Sequence, residues 1–213
     1  MLRKEKKMSN GISLFRIVAL KNFAFIKKGE RGGYIERENN LSCSGNAWVY
    51  ENAKVSGRAR IYGNARVYGN ALILGKARIY GNARIYGNTQ VSGNTMIYGD
   101  ARIYDNAQVS DNARVYGSAR IYGNTKISDN ARAYGNIQAY GNAWIHDNAR
   151  IYGNSLVYGN TRIHGNAQIH GNAKIPGSDI TTNIDYELQK RGIIALVLFK
   201  LRRFFYNVTS SHP

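Results

Sequence analysis

The chain has 213 residues, 43% of them hydrophobic, and its 30 Lys and Arg against 13 Asp and Glu give a net charge of +17. That apolar share supports one ordered domain with short additions and argues against a disordered chain. The charge favours polyanionic partners, nucleic acid or an anionic membrane surface, with an inert solvated surface as the plain alternative. The single Cys43 excludes an internal disulfide and a Cys-based metal cluster.

Residues 1–9 begin with MLRKEKK and read as a basic, disordered N-terminus. The apolar stretch that follows, ISLFRIVAL, is cut by Arg16 and lacks a small-residue cleavage site, so it is not read as a signal peptide. No run of 18 apolar residues is present, which predicts no transmembrane helix and a cytoplasmic protein. Residues 10–41 supply short strands, ISLFRIVAL and GGYIE, that can cover the exposed strand edges of what comes next.

From 42 to 176 the chain repeats one six-residue phrase, as in ARIYGNARIYGN at Ala77 to Asn88. A small residue recurs every six positions from Ala47 to Ala173 without insertion, and an aliphatic one follows two places later. Alternation along a strand turns both inward and the residue between them outward. Gly-Asn pairs such as Gly63-Asn64 and Gly81-Asn82 supply the turn, since both residues tolerate left-handed backbone angles. Where the aliphatic position shrinks to Ala139, the small position swells to Ile137, which conserves core volume. A strand and a tight turn every six residues make a solenoid, whose stacked Asn side chains can bridge neighbouring coils.

The residue after each aliphatic, sorted by 18 positions, sets the coil. One corner reads Tyr50, Tyr68, Tyr86, Tyr104, Tyr122, Tyr140 and Tyr158, and a second reads Tyr62, Tyr80, Tyr98, Tyr116, Tyr134 and Tyr152, then His170. The third has Ser56, Leu74, Ser92, Ser110 and Ser128, then His146 and His164. Three hexads therefore make one coil. The expected fold class is all-β, a single-stranded triangular parallel β-helix of about seven coils, roughly 35 Å long at the spacing of neighbouring strands.

After Pro176-Gly177 the period stops. Residues 177–213, which include DYELQKRGIIALVLFKLRRFFYNV, read as a C-terminal amphipathic helix and tail. Such a helix packs on the last coil or joins copies into a homo-oligomer. Its Lys200, Arg202 and Arg203 among Phe199, Leu201, Phe204 and Phe205 also suit peripheral contact with a membrane surface.

An aliphatic residue with a small one four places on, as in Val67 with Ala71 and Ile79 with Ala83, resembles the hexapeptide repeat of left-handed β-helix proteins of the acyltransferase-like superfamily. That resemblance implies left-handed winding. Tyr stands here where that family has Gly, and the right-handed bactofilin-type helix is the other triangular architecture. With FRIVALKNF, KKGERGGYIE and NNLSCSGNAWVY ahead of the repeat, residues 11 to 176 more closely resemble the YdcK-like hexapeptide-repeat β-solenoids of bacteria and phages. That group implies the architecture and brings no established reaction with it.

Acyltransferases of the resembled superfamily use a catalytic His and loops extruded from the coil. This repeat extrudes no loop, and His146, His164 and His170 stand at corner positions that Tyr or Ser fills elsewhere. The glycines are turn residues at period six and form no phosphate loop. Asp100, Asp105, Asp111, Asp129 and Asp147 take turn positions of Gly or Asn, as natural turn formers. His146 and His164, one coil apart, have no carboxylate or Cys partner in this reading. No catalytic residue, metal ligand or cofactor is therefore assigned. The protein is expected not to be an enzyme, with acyl transfer as the outlying alternative.

What is left are the outward residues between the small and aliphatic positions. On the first Tyr face these include Arg66, Arg84, Arg102 and Arg120, beside Tyr68, Tyr86, Tyr104 and Tyr122; on the second they include Arg60, Arg78, Arg114, Arg132 and Arg150. Guanidinium forks bind phosphate and stack on aromatic planes, and Tyr rings can accept bases, so the rows suit nucleic acid or a nucleoprotein. Two other readings stay open. Tyr rows can stabilise the solenoid by stacking on themselves with Arg lying across them, and flat faces or ends can assemble copies into a scaffold. Resemblance to proteins of phages and prophages implies, by association, a factor acting on a host nucleic-acid machine.

Overall fold

The computed structural model describes residues 2–9, 11–181 and 184–185. Each hexad of the repeat folds on the pattern its letters dictate. In the strands Arg84–Ile85, Arg102–Ile103 and Arg120–Ile121 the Arg is exposed, while the Ile and the Ala two places before it are fully buried. Ile137 and Ala139 are both buried as well, so the exchanged pair fills one slot of the core. Each strand pairs in parallel with the strand 18 residues on, Arg84 opposite Arg102 and Ile85 opposite Ile103. Every side chain therefore rests on its counterpart in the next coil. Where the small residue is Thr or Ser, its hydroxyl donates to the carbonyl three residues earlier, Thr125 to Tyr122 at 2.7 Å, so the buried polar atom is satisfied.

The turns repeat as regularly. Gly99 has φ +71, and a Cβ added there would lie 3.0 Å from the Gly117 backbone nitrogen of the next coil. Asp105, Asp111, Asp129 and Asp147 take the same left-handed position, with φ between 57 and 62. The following Asn residues form amide ladders. From Asn70 through Asn88, Asn106, Asn124 and Asn142 to Asn160, each Nδ2 donates to the next Oδ1 at 2.9–3.2 Å.

Among the described residues three sheets of eleven, nine and eight strands result, and the solenoid makes about eight turns, one more than the period predicts. Its two ends account for the difference. At the N-terminus β1 (Leu2–Ser9) runs antiparallel to β2 (Ile12–Val18), and β2 antiparallel to β3 (Arg31–Ile35). Both β3 and β4 (Leu41–Gly45) then pair in parallel with repeat strands, Lys54–Val55 and Arg60–Gly63. At the other end Asp179–Ile180 and Ile184–Asp185 pair with Arg162–Ile163 and Gln168–His170.

Strands paired into the sheets thus begin at Arg31, ahead of the expected 42–176, and recur at 179–180 and 184–185 beyond it, and β1 is a strand where a disordered segment was expected. The physical reason is common to both ends. A bare strand edge presents unpaired N–H and C=O groups that any extended stretch can satisfy, with or without the hexad letters. The helix expected from residue 177 is corrected to strand at 179–180 and 184–185, and its remainder, with Lys200, Arg202 and Arg203, lies outside the described residues. Among the described residues no helix is long and apolar enough to cross a membrane.

Candidate nucleic-acid interface

The two Tyr corners are self-satisfied. From Tyr62 to Tyr152 the ring centroids are 4.7–5.1 Å apart with planes within 7°, and His170 extends the stack at 5.3 Å. On the first face Tyr86, Tyr104 and Tyr122 stack in the same way, at 4.8–4.9 Å, while Tyr50, Tyr68 and Tyr86 meet at tilts near 50°. Burial pushes the Tyr104 phenol above its ordinary value, with Tyr122 and Tyr86 adding to the effect and Arg120 opposing it. This packing occupies ring faces of Tyr86, Tyr104 and Tyr122, which were expected to accept bases, whereas Tyr68 meets both neighbours at a tilt.

The Arg rows are the opposite case. Arg60, Arg78, Arg84, Arg102, Arg114, Arg120 and Arg150 are exposed, and Arg66 and Arg132 are half-buried. The expectation that they lie across the Tyr rings fails: among the described residues the cations over aromatic rings are Arg16 on Tyr34, Arg66 on Phe25 and Arg162 on Trp144. None of the nine row arginines makes an ion pair among the described residues. In water, like charges about 4 Å apart repel by roughly 1 kcal/mol, so the rows hold charges that repel their neighbours. Row and groove meet on the first face. There Arg66, Arg84 and Arg102, the Asn46, Asn64, Asn82 and Asp100 ladder, and Phe25 line a groove of about 520 Å³. Trp48, one coil before Arg66 in this column, is buried, with Phe23 packed edge-on at 5.5 Å.

A second cationic cluster escaped the sequence reading. Arg37, Asn39, Asn40, Arg58, Arg60, Lys76 and Arg78 line a cavity of about 240 Å³. Arg37 pairs with Glu36, whose other oxygen accepts the Gly57 N–H at 2.6 Å. The Arg37 contact first and this N–H second hold the Glu36 carboxyl below its usual range. Arg58, Arg60, Lys76 and Arg78 have no acidic partner among the described residues. The signal that could have found the cluster is a break in the turn column. Arg58 and Lys76 stand where Asn64, Asn70, Asn82 and Asn88 stand in neighbouring turns, which removes amide ladder bonds at one corner and adds two cations.

The histidine corner also differs from its expected form. His146 Nδ1 lies 3.3 Å from Asp147 Oδ1, and His164 Nδ1 lies 4.0 Å from Asp147 Oδ2. His164 Nε2 is 2.7 Å from Asp179 Oδ1, and the two imidazoles stack at 5.1 Å. Carboxylate partners are therefore present; Asp147 was read only as a turn former, and Asp179 lies past the end of the repeat. The Gly165 N–H, followed by His146, holds the Asp147 carboxyl below its usual range.

A triangular parallel β-solenoid of 18-residue coils, with outward ladders of Asn, Tyr and Arg, is the class of protein these features define. Residues 59–75, 77–93, 107–123 and 149–165 match the family model described as the YdcK β-solenoid repeat, and over these stretches the chain is similar to that family. Comparison with curated proteins gives no match.

Proposed function

We propose that this solenoid is a non-enzymatic polyanion-binding protein whose ligand is single-stranded or structured nucleic acid, free or within a nucleoprotein. The observation that carries the proposal is the contrast between partnered and unpartnered rows: Asn and Tyr are satisfied by their own copies, whereas the row arginines have no acidic partner among the described residues. A polyanion laid along the rows relieves the repulsion between them and releases its own condensed counterions. The rung spacing of about 4.8 Å is dictated by sheet hydrogen bonding and not by a nucleotide repeat, which favours charge-driven contact over base readout. Phe25, 80% exposed beside Arg66, offers a ring on which one base could stack at the groove.

Left-handed winding, an oligomerising or membrane-touching C-terminal helix, a cytoplasmic setting and a tie to phages belong to the same proposal and rest on sequence and resemblance. Anisotropy titrations of labelled single-stranded RNA, single-stranded DNA and duplex DNA test it. Wild type should bind all three, single strands best, and replacement of Arg66, Arg84, Arg102 and Arg120 by Gln should abolish most of the signal. Absence of binding to every probe would refute the proposal and favour a scaffold, which concentration-dependent sedimentation detects. Free thiol released from acetyl-CoA would point to acyl transfer instead.

A further inference from the structure

We propose that the corner formed by Asp129, His146 and Asp147 is a binding site for a divalent transition-metal ion of the zinc type. The repeat departs from its own pattern twice at this corner. The outward column runs Ser92, Ser110 and Ser128 before it changes to His146 and His164, and the left-handed turn column changes from Gly93 to Asp111, Asp129 and Asp147 before it returns to Gly165. Only at 146 and 147 do the two changes coincide in one turn of this corner, so that an imidazole and a carboxylate adjoin.

The distances suit an ion. Zinc bonds to nitrogen and oxygen of about 2.0 Å put neighbouring tetrahedral ligands about 3.3 Å apart, and His146 Nδ1 lies 3.3 Å from Asp147 Oδ1. One ligand atom each from His146, Asp147 and Asp129, the last one coil away, lie within 4.8 Å of one another. The backbone fixes the ligands while leaving an oxygen on each carboxylate for the ion. Asp147 Oδ2 accepts the Gly165 N–H at 2.9 Å, and Asp129 Oδ2 accepts the Ser128 hydroxyl at 3.1 Å and the Asp147 N–H at 3.2 Å.

His164 supports the site from the next coil. Its Nε2 lies 2.7 Å from Asp179 Oδ1 and its Nδ1 4.0 Å from Asp147 Oδ2, which places a second imidazole where it can hydrogen-bond a metal-bound water. A donor set of one imidazole and two carboxylates favours zinc, nickel or cobalt over the oxygen-seeking calcium and magnesium. The site shares no residue with the Arg rows, so it stands or falls apart from polyanion binding.

Calorimetric titration of the full chain with zinc chloride is expected to show one site per chain, with calcium chloride bound more weakly by on the order of tenfold or more. His146→Ser restores the residue that earlier coils carry at this corner and should weaken zinc binding by at least about tenfold. Asp129→Asn, which tolerates the left-handed backbone, should do the same. Melting curves of both variants without metal check that the fold is retained, and either folded variant suffices for the comparison. No zinc binding by wild type, undiminished binding in a folded variant, or calcium bound as tightly as zinc would each overturn the assignment.

Discussion

The Tyr corners and the Arg faces are built from residues two places apart in the same hexads, yet the solenoid treats them oppositely. Translation by one coil sets every residue beside its own copy. Tyr104 meets Tyr86 and Tyr122 at 4.8–4.9 Å, ring on ring, and Asn106 meets Asn88 and Asn124 through amide hydrogen bonds of 3.2 Å. Arg102 meets Arg84 and Arg120 in register, and guanidinium groups repel their copies. A repeat thus saturates groups that attract themselves and leaves unsaturated those that do not. The first kind is explained by the fold alone; the second is left to solvent or, as proposed above, to a polyanion.

The sharpest division between the two regions comes from removing each in turn. Replacing Arg66, Arg84, Arg102 and Arg120 with Gln should weaken single-stranded RNA binding by on the order of a hundredfold at low salt. The melting temperature should barely move, because exposed substitutions away from special contacts stay within about 0.5 kcal/mol each. Tyr104→Ser, which installs the residue of the third corner, should show the reverse pattern in thermal unfolding and anisotropy. Loss of two stacked pairs costs about 1–3 kcal/mol while binding is retained.

Smaller effects follow the same logic. Asn106→Ala breaks two ladder hydrogen bonds and should cost about 1 kcal/mol by denaturant unfolding. Alkaline titration probes the Tyr stacks as a group. Burial raises Tyr80, Tyr104, Tyr116, Tyr122 and Tyr134 above the ordinary 10.0, so the unfolded phenols ionise first as pH climbs. Stability from the neutral stacks is fully present below that value and is lost as pH rises through the raised folded values. Melting temperatures followed into this range should fall, and Tyr104→Ser should fall less steeply.

The repeating part of this molecule was legible because each letter has one job fixed by position. Ile85 and Ala83 are buried, Asn88 and Tyr86 stack, and Arg84 points out, as period six and period 18 require. What stayed hidden are contacts between the repeat and chain outside it. Phe23 covers Trp48 and Phe25 lies against Arg66, both from a segment with no period to sort by. Arg37 joins Arg58 and Lys76 only once the N-terminal strands fold onto the first coil. Asp179 reaches His164 because the sheets continue past Pro176 without the hexad pattern that would have announced it. The candidate site was therefore half legible: the Arg rows could be named from the sequence, while the division of labour between Arg and Tyr required ring and guanidinium geometry.

That division is tested most directly by the salt dependence of single-stranded RNA binding, measured by anisotropy on wild type, the four-Arg variant and Tyr104→Ser. If the Arg row carries the contact, the slope of log affinity against log salt falls by up to about three in the four-Arg variant, since each single-strand phosphate contact contributes roughly 0.7. Tyr104→Ser then keeps the wild-type slope. An unchanged slope in the four-Arg variant, or affinity lost in Tyr104→Ser while its fold is intact, would contradict the assignment of function to the faces and structure to the corners.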